Sequence, residues 1–368
     1  MEPITHLMTG ACLARAGFNR KAAYAAVAMT VAAELPDIDT LWGVAGPVAS
    51  FQHHRGWTHT LLGMPFEAAA VVGVCWGWHR WRTRRKGTTG DPESQLQKAA
   101  PVRWGLLFGF VLVALLSHLL LDWTNNYGVR PFFPFNPRWY EGSIVFIFEP
   151  VLFGMLLVAL VAPALFGLIG SEVGAGRARF RGRGWAIAAL LGMVSLWGWR
   201  WVEKDKALQL VAAEEFRSTG ATAADSVQVP VVRVGVSPNP ITPYKWHVIV
   251  ETPMDYRLAV ADTLSGTVTT TPGDVFYKPP TTIATLVAKR SWLGEVYLDW
   301  ARFPLVTEQT KSDDPDEAGL TTVTFRDLRF MYDVPLMAGR TKAPLSGAVT
   351  INEDRKVVRM EMDGRVQR

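Results

Sequence analysis

Hydrophobic and polar positions follow two different rhythms along this chain. Up to Val202 the apolar residues come in long runs. Trp104 to Leu121, Ile144 to Ile169 and Trp185 to Val202 are each long enough to cross a hydrocarbon core of about 30 Å at about 1.5 Å of helix per residue. Thr60 to Trp78 is apolar apart from Glu67 and makes a fourth such run. Ahead of these, "THLMTGACLARAGF" and "AAYAAVAMTVAAEL" predict two shorter helices joined at Asn19 to Lys21, a hairpin packed on the others or shallowly embedded. Past Val202 the rhythm changes. "EKDKALQLVAAEEF" predicts a polar helical stalk, and "RSTGATAAD" a linker. From Val227 onward, β-branched residues alternate with polar ones in short segments such as "KWHVIVET" and "GAVTINEDRKVVRMEM", broken by Pro, Gly, Asn and Asp. That alternation predicts antiparallel strands. The expected architecture is an α-helical membrane bundle of about four long spans plus an N-terminal hairpin, followed by a small all-β soluble domain. The boundaries fall at 1–202, 203–226 and 227–368.

Composition agrees with a chain of two characters. Hydrophobic residues make up 49% and charged residues 19%, too apolar for an ordinary soluble protein and too charged for one lying wholly in a membrane. Two basic runs, "HRWRTRRK" (His79 to Lys86) and "RARFRGRG" (Arg177 to Gly184), flank apolar runs. They read as cytoplasmic anchors of membrane helices rather than as a nucleic-acid surface. No cleavable signal peptide is evident. The only cysteines, Cys12 and Cys75, lie in apolar stretches and define neither a disulfide framework nor a thiolate metal site. With the basic loops and Arg20–Lys21 inside, alternation puts the N-terminus, 36–59, 122–143 and everything after Trp201 on the extracytoplasmic side.

That topology, drawn from basic residues and hydropathy alone, gathers most of the chain's candidate chemistry at one end of the bundle. His6 starts the first helix. Glu34, Asp37 and Asp39 end the second. His53, His54 and His59 precede the third, within "HHRGWTH". His118 and Asp122 end the fourth, and Glu149 lies near the start of the fifth. His118 and Asp122 are spaced i, i+4 and share a helix face. Alone the pair is equally a structural hydrogen bond, but ionisable residues inside an apolar membrane helix are costly and mark function. Asp37 and Asp39 beside Pro36 also read as a plain helix end, and His53 as a solvated loop residue. Gly56 reads as a bend around a centre or as a tight turn. Histidines and aspartates without cysteine suit Zn²⁺ best, with Mn²⁺ or Fe²⁺ as alternatives, and the number of carboxylates suits one to three ions.

"LPDID", "HRGWTHTLL" and "SHLLLDWTNNYG" together resemble the YdjM-like family of membrane-bound metal-dependent hydrolases, once catalogued as the domain of unknown function DUF457. The likeness covers residues 1 to 160 as a core, and "SPNPITPYKWHVIVET" looks like a downstream segment of longer members. It implies His6, Asp37, Asp39, His54, His59, His118 and Asp122 as ligands. The HxxxD helix is also similar, more distantly, to the helical zinc-dependent phospholipase C group, which implies phosphoester chemistry. In that chemistry Arg55 would hold a phosphoryl oxygen, Thr58 or Asn125 would orient it, and Asp39 or Glu34 would act as general base. The alternative for Arg55 is a brace on Asp37 or Asp39. The leading expectation is an inner-membrane hydrolase acting on a lipid or lipid-linked phosphoester at the outer face. A non-enzymatic membrane protein with a structural metal and a partner-binding β domain stands against it. An ion transporter is less favoured, because the polar groups form no relay across the bilayer.

Overall fold

The computed structural model describes residues 1–85, 100–172, 182–214, 229–310, 319–332 and 344–367. The loops expected to be cytoplasmic fall largely on 86–99 and 173–181, and most of the linker on 215–228, outside the described residues. The chain divides into two compact units, Met1–Asp39 with Arg55–Arg200, and Thr40–His54 with Trp201–Arg368.

The first unit is helical: α1 (Pro3–Leu13), α2 (Ala25–Ala32), α4 (Met64–Arg85), α5 (Trp104–Thr124), α6 (Pro150–Glu172) and the first part of α7 (Arg183–Ala213), with α3 (Pro47–His53) belonging to the other unit. α1 starts at Pro3, and the Glu2 side chain accepts from the amides of Ile4 and Thr5, so the first turn is capped. One apolar cluster joins α2, α4 and α5 through Ala25, Ala28, Met29, Ala68, Val111 and Ala114. Small side chains let helix backbones approach, as membrane helices need where no hydrophobic effect drives them together. Gly10 shows how close this is, since a Cβ there would meet the Met29 carbonyl at 2.5 Å. A second cluster joins α1, α6 and α7 through Met8, Cys12, Leu152, Leu156, Ala186 and Ala189.

Among the described residues two helices, α5 and α7, are long and apolar enough to cross a membrane, and a third span results if Pro47–His59 and α4 count as one bent crossing. About four were expected. The stretch from Ile144 was expected to be helical from its start. Ile144 to Glu149 instead form an irregular, bent segment, and the Ile144 and Val145 amides donate to the Thr124 carbonyl at 2.9 and 3.1 Å. The helix begins only at Pro150 and runs to Glu172, and among the described residues its apolar part is Pro150–Phe166. The helix begun at Arg183 continues without a break through the expected stalk to Ala213.

The second unit is rich in β structure. β1 (Arg233–Pro238), β2 (Lys245–Glu251), β3 (Asp255–Asp262) and β4 (Thr267–Tyr277) form an antiparallel sheet in sequence order. β5 (Pro304–Thr310), β6 (Thr321–Asp327), β7 (Gly347–Ile351), β8 (Val357–Met362) and β9 (Arg365–Val366) form a second antiparallel sheet. Trp246, Val248 and Val250 alternate on the face of β2 that packs on Ala207 and Val211 of α7, the period-2 pattern seen in the sequence. Two helices went unforeseen between the sheets, α8 (Ile283–Lys289) and α9 (Trp292–Trp300). Thr282 caps the first in a reciprocal capping box with Thr285, and Ser291 caps the second. Also unforeseen is that Thr40–His54 packs into this unit. Phe51 lies against Tyr297 and Trp300, and Gln52 accepts from the Trp292 indole at 2.9 Å.

His247 in β2 is buried, and its Nε2 donates to the Leu328 carbonyl at 2.9 Å. Burial lowers its pKa to about 4 against the bond to Leu328. The unfolded chain, titrating near 6.5, therefore takes up the proton first. Stability is complete above about pH 6.5 and falls as pH drops toward 4, by on the order of 3 kcal/mol. Hydrogen exchange of β2 amides in the full-length protein, corrected for intrinsic rates, should lose about a hundredfold of protection over that window. His247→Gln keeps a donor for Leu328 and should flatten the slope. An equal slope in both proteins would refute the assignment.

Candidate metal centre

The polar constellation of the sequence assembles, in part, within the first unit. Asp37, His59, His118 and Asp122 each bring one ligand atom to a common point, with all four atoms within 4.8 Å of one another. Two come from α5, where the i, i+4 spacing sets His118 above Asp122 on the buried face. Asp37 lies in the 3₁₀ segment Leu35–Ala45 that follows α2, begun where Pro36 ends the α-helical path. His59 closes the short turn Trp57–His59. The bend ahead of it is made at Arg55, whose φ of 54° is left-handed, and not at Gly56, whose φ is −83°. The Arg55 amide donates to Asp39 Oδ2 at 2.7 Å, which fixes that costly conformation.

The hydrogen bonds on the outer side of each ring decide what the inner side offers. His118 Nδ1 donates to the Ala33 carbonyl at 2.7 Å. His59 Nδ1 faces Asp39 Oδ2 at 3.2 Å and Thr58 Oγ1 at 3.1 Å. In neutral rings held this way, both Nε2 atoms carry lone pairs, and they point at each other across 3.0 Å. Asp37 Oδ1 lies 3.4 Å from His59 Nε2 and 3.7 Å from His118 Nε2. Asp122 Oδ2 lies 3.3 and 3.4 Å from the same two atoms. Four electron-rich atoms so arranged repel unless a proton or a metal ion sits among them. A tetrahedral ion with bonds of about 2.0–2.1 Å has edges of about 3.3 Å, and the separations between ring nitrogens and carboxylate oxygens, 3.3 to 3.7 Å, lie close to that value. The residues present therefore fit a transition metal.

Other groups surround the four. His6 is buried and stacks on His118 with ring centroids 3.8 Å apart. Its Nε2 is 3.4 Å from Asp122 Oδ1, and its Nδ1 makes no hydrogen bond among the described residues. The Met1 amino group also contacts Asp122. Arg55 is buried. Its Nη2 donates to Asp122 Oδ1 at 2.7 Å, and its Nη1 to the Gly128 carbonyl at 2.6 Å and, more weakly, to Asn125 Oδ1 at 3.4 Å. Its guanidinium lies 4.6 Å from the Tyr127 ring centroid. The fork is thus spent on Asp122 and the loop after α5. Glu34 has one carboxylate oxygen buried without a hydrogen-bond partner. Burial, with the nearby charges of Asp37 and Glu2, pushes its pKa up to about 8.

Some expected ligands lie elsewhere. Glu149 is buried in an ion pair with Arg200 at 2.7 Å and is not among the four. His53 stacks on Trp42, on the segment that packs with the second unit. Sequence reasoning missed the Ala33 carbonyl and the Gly128 carbonyl, since a backbone atom leaves no mark in residue type. Tyr127 had a signal, standing directly after Asn125 and Asn126 in "DWTNNYG".

The profile of the YdjM inner membrane protein family matches residues 1–207, more than half of the chain and all of the cluster. The chain belongs to this family. It is also similar to the uncharacterized protein YfhP of Bacillus subtilis (strain 168), 23% identical over 168 residues. That match takes in 44% of this chain and 45% of YfhP, so the chain spans less than half of that relative's length. No solved structure matches the chain.

Proposed function

We propose that this member of the YdjM inner membrane protein family is a metal-dependent hydrolase that cleaves a phosphoester of a lipid or lipid-linked substrate. The observation that carries the reading is the convergence of Asp37, His59, His118 and Asp122 within 4.8 Å at the end of an apolar helix. Two nitrogens and two oxygens, with no sulfur, suit Zn²⁺, Mn²⁺ or Fe²⁺. When bound, such an ion supplies Lewis acidity toward a phosphoryl oxygen and acidity to a water molecule. The chain's own residues do the rest. Asp39 and Thr58 hold His59 in the tautomer that turns Nε2 inward. Arg55 holds Asp122 against the Asn125–Gly128 loop. Glu34, kept protonated near neutral pH, gives a proton to the leaving oxygen. The expected role of general base does not suit a carboxyl that is protonated at neutral pH, and Asp39, the other candidate for it, already accepts from the Arg55 amide through Oδ2.

The test is turnover by the purified full-length protein on phosphatidylcholine, phosphatidic acid and a soluble nitrophenyl phosphodiester. Hydrolysis of at least one, lost with a chelator and regained with Zn²⁺ or Mn²⁺, is the expected result. No product from any of them with metal-loaded protein would sink the reading. A second reading has its own support, since four protein ligands complete a tetrahedron, as structural zinc sites do. The Co²⁺-substituted protein separates the two. Inorganic phosphate should change its visible spectrum if a position is open, and leave it unchanged if the site is closed.

The second unit lies outside the cytoplasm in this proposal, supported by the basic runs that flank α4 and α7. Cysteine at exposed Ser265, in a Cys75→Ala background, should react with an impermeant maleimide in spheroplasts. Labelling only after lysis would reverse the orientation.

A further inference from the structure

The segment between α5 and α6 carries a second feature, on the outside of the cluster. It is a closed loop. Val129 and Tyr140 exchange two backbone hydrogen bonds of 2.8 and 2.9 Å at its base. Within it, Pro131, Pro134 and Pro137 restrict the backbone. Arg130, itself buried, lies over the rings of Phe133 and Trp139, with centroid distances of 5.2 and 4.4 Å. This rigid frame presents two phenyl rings outward. Phe135 is 85% exposed and Phe132 48%. The loop is fastened to the chain after His59, because Leu61 donates its amide to the Pro131 carbonyl at 2.9 Å and Trp57 meets Phe133 edge-on at 5.2 Å. Trp57 and Leu61 are themselves exposed, and Phe66 at the start of α4 is 72% exposed.

An aromatic patch of this kind, held rigid rather than collapsed, is not how a water-facing loop is built. It is how chains meet the boundary between headgroups and acyl tails, where aromatic rings and arginines are favoured together. The patch also runs on from Phe66 along α4, which leaves Val74 and Trp78 exposed in the membrane unit. Exposed Arg138, whose guanidinium lies 5.7 Å from the Tyr140 ring centroid, suits lipid phosphate. We propose that the Val129–Tyr140 loop, together with Trp57, Leu61 and Phe66, is a lip inserted into the headgroup–acyl boundary of the bilayer. The lip borders the metal cluster directly: the Gly128 carbonyl that precedes it accepts from Arg55, and Leu61 follows His59 by two residues. A substrate held by its acyl chains in the bilayer would thus have its headgroup at the level of the cluster. The lip's seat in the bilayer does not depend on whether the cluster is catalytic.

The experiment reads the environment of the lip itself. Full-length protein carrying Phe135→Cys in a Cys75→Ala background is labelled with an environment-sensitive fluorophore. It is then placed in nanodiscs of phosphatidylcholine and phosphatidylglycerol. Phe132→Cys serves as a second reporter, and Ser265→Cys, in the exposed β3–β4 turn, as the aqueous control. Both phenyls are exposed, so these changes leave the core alone. The expected result is blue-shifted emission, quenching by lipids carrying a nitroxide high on the acyl chain, and iodide quenching several-fold weaker than at Ser265. Iodide quenching equal to the control would place the loop in water and overturn the proposal. Shielding from both quenchers would also overturn it, since the patch would then be covered by protein, such as a second copy of the chain.

Discussion

Protein with Asp122→Asn is expected to purify with less than about a tenth of the metal of wild type. Asp122 stands at the centre of the cluster. One oxygen faces both His59 Nε2 and His118 Nε2, and the other accepts from Arg55. Asparagine keeps the shape and one oxygen but loses the charge, and with it the match to a divalent ion and to the guanidinium. Alanine would be a poorer test. It leaves Arg55 buried without its partner, a loss of about 3–5 kcal/mol that could unfold the unit before metal is measured. His59→Gln gives a second, independent variant, expected to fall to a similar level. Metal content is read by inductively coupled plasma mass spectrometry on protein that elutes as wild type in gel filtration. Full occupancy in both variants would place the metal elsewhere.

Arg55→Lys is the second large effect. Arginine spans two acceptors at once, Asp122 Oδ1 at 2.7 Å and the Gly128 carbonyl at 2.6 Å. Lysine keeps the charge but is a single point donor and cannot serve both. As a residue that holds a ligand, Arg55 is expected to act on metal binding first, with affinity falling about 10- to 100-fold on substitution by lysine. Turnover should then recover when metal is added in excess. A residue that clamps substrate phosphate would give the opposite result, full metal affinity with turnover lost at any metal concentration. The titration of metal against activity tells these roles apart.

Sequence patterning foretold a helical membrane region followed by β strands, because lipid and water impose periods that survive in single sequences. The convergence at the helix ends was legible for the same reason. Basic residues set which ends lie together, and His118–Asp122 carries its own geometry in its spacing. What was not legible depends on partners far away in sequence. Glu149 looks like a ligand until Arg200 is known to sit beside it. Thr40–His54 looks like a loop of the helical unit until Phe51 is seen against Tyr297 and Trp300. α8 and α9 were hidden because helices of seven and nine residues are too short to establish a period. Residue preference points to Gly56 for the bend, but the left-handed residue is Arg55, one position earlier, whose amide donates to the Asp39 carboxylate.

X-ray absorption at the metal edge of the purified full-length protein tests the central claim most directly, because it reports the donor atoms themselves. The expected result is a shell of nitrogen and oxygen at about 2.0–2.2 Å with an imidazole signature and no sulfur. Outer-shell scattering should correspond to two histidines, and it should weaken in His59→Gln. A sulfur shell near about 2.3 Å would put Cys12 or Cys75 at the metal and contradict the cluster of Asp37, His59, His118 and Asp122.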